Sequence, residues 1–119
     1  MDLDGFANEL RTTNIPKAVS TTMSRAGGNV MRRAQELAPS GPHLTSKNGS
    51  AYSDSISFEK DGDLAVEAFA RDRGQGPLAG ILEFGHGPNA PHPHFIPALD
   101  EEAEALPKWL GEAVSKALS

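Results

Sequence analysis

The sequence predicts an α+β fold in which a long N-terminal helix and a C-terminal helix pack on a small antiparallel sheet. Two segments, 15–38 and 97–118, repeat apolar residues at helical spacing. Between them, residues 53–69 alternate apolar and polar side chains around an Asp-Gly turn, as in a β-hairpin. At 119 residues the chain can build one core, so we expect a single domain over 1–119.

The N-terminal segment predicts two helices separated by a short break. A first amphipathic helix is expected over 2–11, because its apolar residues fall at helical spacing. These residues are Leu3, Phe6 and Leu10. The polar run 12–14 is expected to end that helix. Pro16 then suits the first turn of a long helix over 15–38, where its missing N–H costs least.

The long helix contains one conflict with its own pattern. Its apolar stripe comprises Val19, Met23, Ala26, Val30, Ala34 and Leu37. Gly27 and Gly28 interrupt the helix, and each costs roughly 1 kcal/mol relative to alanine. We expect them to permit either the close approach of another backbone or a bend. Pro39 ends the helix after Ala38, and a polar loop follows over 39–51.

The hairpin over 53–69 is the clearest β-structure in the sequence. Its first strand places Asp54, Ile56 and Phe58 on one face, and its return strand continues with Leu64, Val66 and Ala68. The Asp-Gly turn lies within 60–63. A hairpin alone is marginal in water, so we expect the long helix or a third strand to pack against it.

A motif segment over 77–96 separates the hairpin from the last helix. Pro77 at its start and Gly85 after its first part favour a short helix, and a buried strand is the alternative. Residues 85–94 contain two glycines and three prolines, which excludes regular structure there.

The C-terminal helix is expected over 97–118, with acidic residues early and lysines late, as the helix dipole favours. Its expected apolar stripe comprises Leu99, Ala103, Leu106, Leu110 and Val114. Pro107 lies inside it and should kink or split the helix.

The composition argues against several functional classes. No cysteine is present, so disulfides and thiolate metal sites are excluded. The net charge of −5 argues against a general nucleic-acid binder, which usually carries a basic excess. No apolar run approaches the roughly 20 residues that span a bilayer. The acidic start 1–4 argues against a signal or transit peptide.

Several weak motifs occur in a fixed order along the chain. They are Pro16, Leu37-Ala38-Pro39, Ser55-Ile56, Glu83-Phe84-Gly85 and Pro93-His94-Phe95-Ile96-Pro97-Ala98-Leu99. Their order and spacing resemble the neck and tail-completion proteins of long-tailed bacteriophages, the family of the lambda-type minor tail protein Z. The chain departs from that pattern in two places. One residue rather than two separates Phe95 from Pro97, and His86 replaces the usual small hydroxyl residue.

The resemblance implies a structural virion protein of the phage head–tail connector. A homo-oligomeric hexameric ring would complete the tail end and join it to the capsid portal complex. Its partners would be further copies, a head-completion or stopper protein, and a tail terminator or tail-tube protein. Genomic DNA would pass through the channel without sequence-specific binding, since an acidic wall repels phosphates. Assembly would take place in the host cytoplasm, the protein would reside in the virion neck or tail, and no membrane is expected.

The resemblance also implies a protein that is not an enzyme and needs no cofactor or metal. Within the phage interpretation, a tail terminator that caps the tail tube is the nearest alternative. An adaptor domain left by a degraded prophage is a third possibility. From a different class, a small metal-dependent hydrolase would use Glu83, His92 and His94, since carboxylate and imidazole bind zinc. However, two histidines at i and i+2 in an extended segment point to opposite sides, and no helical HExxH spacing occurs.

Ten residues are candidates for an assembly interface. They are Glu83, Phe84, Gly85, His86, His92, His94, Phe95, Arg71, Arg73 and Trp109. Glu83 is expected to accept hydrogen bonds from nearby loop amides or to pair with an arginine of the same or the next subunit, because buried charges are paired. A general acid or base role is its alternative. Phe95 and Leu99 are expected in the core, whereas Trp109 suits either the core or an interface.

Overall fold

The computed structural model describes residues 3–46, 49–71 and 78–118, and the side chains of 6–13 lie outside that description. The elements in these residues are α1 (Leu3–Leu37), β1 (Ile56–Lys60), β2 (Val66–Ala70), α2 (Leu78–Phe84) and α3 (Phe95–Leu118). A long N-terminal helix and a C-terminal helix therefore pack with a two-stranded antiparallel sheet. The predicted α+β class is confirmed.

The N-terminal helix is continuous where the sequence predicted two helices. α1 runs from Leu3 to Leu37 and holds Pro16 in its interior, so the break at 12–14 is wrong. Threonine and asparagine lower helix propensity by less than about 0.7 kcal/mol each, which is too little to end a helix that continues on both sides. The cost of the interior proline is about 3 kcal/mol, and tertiary packing of a long helix outweighs such local terms.

The glycine pair of α1 is explained by the close approach of the sheet. A Cβ added to Gly27 would overlap the ring of Phe58, so an aromatic side chain of β1 lies directly on the helix backbone. The close approach is made by a side chain rather than by another backbone, and α1 continues through Gly27 and Gly28. Glycine here costs helix propensity but allows the sheet to pack tightly.

The hairpin forms with a longer turn than the sequence suggested. Ile56 pairs with Ala70 and Lys60 with Val66, which leaves residues 61–65 as the turn. Leu64 lies in that turn with 76% of its surface exposed, so its expected place on the return strand is wrong. Residues 53–55 form a 3₁₀ turn rather than strand. Within the described residues the sheet has no third strand, and α1 packs against it.

α1 lies between the hairpin and α3. On one side Phe58 contacts its glycines; on the other Asn29 and Arg33 hydrogen-bond Glu102 and Glu101 of α3. The buried core where these elements meet consists of Val30, Ala34, Tyr52, Ile56 and Ala98. Two of these five described residues are alanines, and further half-buried apolar side chains pack against them.

α2 confirms the helix favoured for the motif segment, while its expected first residue, Pro77, lies outside the described residues. α3 begins at Phe95, two residues earlier than expected, and continues through Pro107 without being split.

The inward face of α3 differs from the predicted stripe. Leu99 is 47% exposed and Ala103 is exposed, whereas Ala98 is buried. The predicted core position of Leu99 is therefore wrong. The inward face includes Glu102, which is half-buried and accepts a hydrogen bond from Asn29. The prediction is therefore wrong in the first turns of α3, where a stripe drawn from apolar residues alone skips this carboxylate. The later members of the stripe, Leu106, Leu110 and Val114, are half-buried as expected.

Candidate functional site

The chain reverses direction sharply at Gly85, directly after α2. The Gly85 N–H donates to the Ile81 carbonyl at 2.8 Å, and its φ is +80°. This left-handed conformation favours glycine. An added Cβ would also lie 2.8 Å from the Asn89 carbonyl oxygen. Glycine is therefore required here both for the backbone angle and for space.

The proline-rich loop after Gly85 folds back onto α2. His86 and Asn89 exchange backbone hydrogen bonds of 3.2 and 3.0 Å. The His92 N–H then donates to the Leu82 carbonyl at 2.6 Å, near the carboxyl end of α2. These bonds place the start of α3 beside the end of α2, and we call this region the α2–α3 junction.

The Glu83 carboxylate caps the N-terminus of α3 from α2. Its Oε1 accepts the N–H groups of His94 and Phe95, each at 2.9 Å, and its Oε2 accepts that of Ile96 at 3.0 Å. The next residue, Pro97, has no N–H to satisfy. The backbone N–H groups that a helix leaves unpaired in its first turn are thus all accounted for. The negative charge also lies at the positive end of the helix dipole.

The environment of Glu83 keeps it ionised although it is only 5% exposed. Burial is the largest influence and by itself raises the pKa of the carboxyl group. The three backbone hydrogen bonds and the charge of His94 act together in the other direction, and the net result is a pKa below the ordinary 4.5. Glu83 is therefore a buried carboxylate whose two oxygens both accept backbone hydrogen bonds.

His94 extends this cluster to a second part of the chain. Its ring is fully buried, with Nδ1 lying 2.9 Å from the His92 carbonyl and 3.1 Å from Glu83 Oε1. Both neighbours are acceptors, so the geometry assigns a proton to Nδ1. Nε2 lies 2.9 Å from the hydroxyl of Tyr52, which precedes β1. A tyrosine hydroxyl both donates and accepts, so this contact is satisfied in either charge state of the ring.

Tyr52 closes the buried cluster. Its ring packs edge-on against the His94 ring, with centroids 5.5 Å apart. Burial, and secondarily the negative charge of Glu83, raise its pKa to about 12. Among the described residues no buried side-chain nitrogen or oxygen lacks a hydrogen-bond partner. Tyr52, His94 and Glu83 therefore link the segment before β1 to both helices of the junction.

The cluster has the groups of an acid–base relay but not its accessibility. Exposure is 5% for Tyr52, 0% for His94 and 5% for Glu83, so no substrate atom reaches them in this conformation. Every acceptor position that would take a proton already faces a donor within the chain. The chemistry that this arrangement supports is structural: it fixes where α3 begins.

The pair of histidines proposed for a metal site is separated by burial. His94 faces the interior and His92 is exposed, as the extended i, i+2 spacing predicts. In the part of the chain that the structure describes, no three His, Asp or Glu side chains are arranged to hold a metal ion.

The junction brings together seven of the ten predicted interface residues: Glu83, Phe84, Gly85, His86, His92, His94 and Phe95. Glu83 and His94 are buried and partnered within the chain, so they do not themselves present surface to another molecule. Of the two ligand types expected for Glu83, amides are found: that of His94 ends the glycine-rich loop as expected, and those of Phe95 and Ile96 begin α3.

Phe95 is half-buried and packs against the core, as expected. Trp109 is half-buried and lies apart from the junction, about 20 Å along α3 at 1.5 Å per residue. Arg71 is exposed after β2 and makes contacts of its own. Arg73 lies outside the described residues.

Two features of the junction were hard to predict from the sequence. Tyr52 is the only tyrosine, but no spacing links it to His94, which lies 42 positions later. The second feature is an exposed apolar group formed by Phe84, Ile96 and Leu99, with 69%, 45% and 47% of their surfaces exposed. Ile96 and Leu99 are three residues apart, so they lie on one side of α3, and this side differs from the inward side, which contains Ala98. This spacing was the feature of the sequence from which the exposed group could have been predicted.

We call Phe84, Ile96 and Leu99 the junction patch. Phe84 follows Glu83, whose carboxylate binds the N–H of Ile96, and Leu99 lies one turn further along α3. The three exposed side chains therefore all belong to the α2–α3 junction. Large exposed apolar side chains that share one region are a typical sign of an interaction surface.

Comparisons of the chain with protein-family models, curated proteins and solved structures give no match. None of the helices in the described ranges has the length and apolar character that crossing a membrane requires.

Proposed function

We propose that this protein is a structural subunit of a phage head–tail connector, a neck or tail-completion protein that works as a homo-oligomeric ring. Two independent lines support the proposal. One is the resemblance of its ordered motifs to the tail-completion proteins of long-tailed phages. The other is the junction patch, which a single subunit leaves uncovered. The net charge of −5 fits a ring through which DNA slides without sticking.

The observation that carries the proposal is that hydrogen bonds and a tight turn hold the residues of the patch in fixed positions. Glu83 holds the first turn of α3 through three amides, and Gly85 holds the turn after α2. The apolar side chains are thus presented in a preorganised position, which lowers the entropic cost of docking. Two of the five fully buried core residues in the described part of the chain are alanines, which leaves room for contacts with other subunits to add stabilisation.

Within this proposal the predicted interface residues divide into two roles. Phe84, with Ile96 and Leu99, contacts the neighbouring ring of the head-completion or tail-tube protein. His86 and His92 are exposed around the patch and supply the polar rim typical of interfaces. Glu83 and His94 act from beneath by positioning the patch.

The decisive experiment uses the phage that encodes this chain. Particles made without the protein should accumulate as filled heads and separate tails in electron micrographs, and the purified protein should join them in vitro. The mass of the purified protein, alone and mixed with tail tubes, should show a closed oligomer. Joined, infectious particles made without the protein would contradict the proposal.

The patch is tested by matched apolar-to-polar substitutions. Phe84→Ser and Leu99→Ser should lower joining by about tenfold or more, since exposed aromatic and aliphatic anchors dominate interfaces. Leu3→Ser is the control, because Leu3 is 85% exposed but lies at the far end of α1. Equal joining by all three variants would remove the patch from the interface.

A further inference from the structure

A second surface, remote from the junction, lies between α1 and the second half of α3. It is a groove of about 950 Å³ with Trp109 among its lining residues. Among the described side chains, its charged lining comprises Lys17, Arg25 and Lys116 against one carboxylate, Glu112. Lys17 and Arg25 are exposed, and no ion pair to either is found among the described residues. The groove is therefore a basic depression with an indole in its wall.

The hairpin end has the opposite character. Asp61 and Asp63 flank Gly62 in the turn, and Leu64 beside them is 76% exposed. Glu59 and Glu67 are both exposed and pair directly across the two strands. Like charges at such a position destabilise a hairpin, so this arrangement costs the isolated chain stability.

Among the described residues, one cation forms an ion pair at this acidic end. The Lys60 amine is 3.8 Å from Asp63 and also contacts Ser20 of α1. It therefore balances one of four carboxylates. The hairpin end is therefore an acidic surface that includes an exposed leucine, and it is complementary in charge to the basic groove.

The two surfaces lie on nearly opposite sides of the same stretch of α1. Lys60 and Phe58 of the hairpin contact α1 at Ser20 and Gly27. Most of the groove lies on the other side: Ala18 and Arg25 are each two residues earlier, which is about 200° around a helix, while Lys17, three residues before Ser20, lies at its near edge. A subunit therefore cannot place its hairpin end in its own groove. Two different copies can make this contact, and it joins unlike surfaces head to tail.

We infer that the hairpin end of one copy, residues 59–67, seats in the α1–α3 groove of the next copy. Leu64 packs toward Trp109, and the hairpin carboxylates face Lys17 and Arg25. A head-to-tail contact of this kind generates a closed ring when its rotation closes. The inference rests on the proposed ring function and identifies the contact between subunits within the ring, distinct from the junction patch that meets the adjacent ring.

The test is charge reversal on each side separately. The groove variant is Lys17→Glu/Arg25→Glu, and the hairpin variant is Asp61→Lys/Asp63→Lys. Each should weaken self-association by at least about tenfold, because each places like charges together. Mixed in equal amounts they should restore the ring as alternating copies, since each hairpin then meets a groove of opposite sign. Native mass spectrometry would show a 1:1 composition with an even subunit number.

The controls separate this inference from the proposed function. Glu104→Lys changes the charge of an exposed α3 residue outside the groove and should leave the ring intact. Circular dichroism of each variant checks that the fold is kept. If wild type forms rings and the reversals leave them unchanged, or if mixing restores nothing or only dimers, the inference is overturned while the ring function stands. Wild type that stays monomeric at its highest soluble concentration overturns both.

A second readout does not depend on the charge variants. Trp109 is the only tryptophan, so its emission reports on the groove alone. The wild-type emission should shift to shorter wavelength as concentration rises and the ring forms, and Leu64→Ser should reduce that shift. An emission that stays constant while the oligomer forms would also overturn the inference.

Discussion

Two regions of the molecule hold α3 in place with charged groups. In one region the charged group is buried, and in the other the charged groups are exposed to solvent. At the junction, Glu83 is 5% exposed and accepts three backbone amides. On the α1–α3 surface, Arg33 donates to both carboxylate oxygens of Glu101 at 2.8 and 3.2 Å. The side chains of this second pair are 42% and 53% exposed. Both contacts connect α3 to the rest of the chain with ideal distances.

The two contacts differ in whether water can solvate the remaining group after one partner is removed. When an exposed ion pair is broken, water solvates both groups, so little stability is lost. When a buried carboxylate is removed, the amides and the imidazole that it served lose their partner without access to water. Burial, rather than the number of hydrogen bonds, therefore decides how much each contact stabilises the fold.

The largest effect is expected from Glu83→Gln. The amide keeps one acceptor oxygen but turns an NH₂ group toward backbone donors, and the loss should be about 3–5 kcal/mol in the free energy of unfolding. Urea denaturation followed by circular dichroism measures it. Glu101→Gln is the matched control on the exposed pair. Similar losses for the two variants would contradict the comparison.

The Glu83 carboxylate should also make the free energy of unfolding fall at acidic pH. Its pKa is lowered by folding, so its stabilisation is complete above the ordinary pKa of 4.5 and is lost as the pH falls through the folded value. Stability measured by urea at a series of pH values should fall below about pH 4.5 for wild type. The gap between wild type and Glu83→Gln should narrow over the same range, and a gap independent of pH would contradict the assignment.

The next effect concerns the turn that brings the junction together. Gly85→Ala forces a side chain into a left-handed conformation and against the Asn89 oxygen, at an expected cost of about 2–4 kcal/mol. Gly87→Ala is the control: its φ is +56°, but nothing lies within 4 Å of an added Cβ. It should cost about 1 kcal/mol. Equal thermal shifts would show that the clash is relieved by movement of the loop.

These elements differ in how far the sequence could predict them. The hairpin, α2 and α3 follow from local signals such as alternation, turn residues and charge order, and the structure contains all three. The continuity of α1 was missed because the signals at 12–14 and Pro16 are local, whereas the length of a helix depends on packing along its whole surface.

The candidate site was predictable in part. A carboxylate between apolar residues before a glycine indicated a buried, partnered group, and Glu83 is one. Its partners were not predictable from the sequence. They are backbone N–H groups at the start of α3, 11 to 13 residues later, and the intervening loop brings them back to Glu83. Tyr52 and the exposed side of Leu99 depend on which faces meet in three dimensions, and no periodicity in one chain fixes that.

A smaller effect is expected from Tyr52→Phe. It leaves the ring in place and removes the hydroxyl beside His94 Nε2, which should cost about 1–2 kcal/mol of unfolding free energy. The substitution should also change how the free energy of unfolding depends on pH in the alkaline range. The pKa of Tyr52 is raised by folding to about 12, so wild type loses stability as the pH rises from the ordinary 10.0 toward that value. The variant should lose less over this range, and identical alkaline curves would contradict the buried position of the hydroxyl.

The smallest effect is expected from Arg33→Ala, although Arg33 makes three ionic hydrogen bonds. Hydrogen bonds to Glu101 first, and to Glu36 second, raise the pKa of a guanidinium that is ionised at every working pH, so no titration exposes its contribution. Its partners are exposed carboxylates that water solvates once the arginine is gone. The urea midpoint should shift by little more than the measurement error, and raising the salt concentration should remove the difference, since salt screens exposed pairs. A large shift that persists in high salt would mean that another copy covers this surface. The Arg33–Glu101 pair would then be buried between two chains, and it would no longer serve as the exposed contact to compare with Glu83.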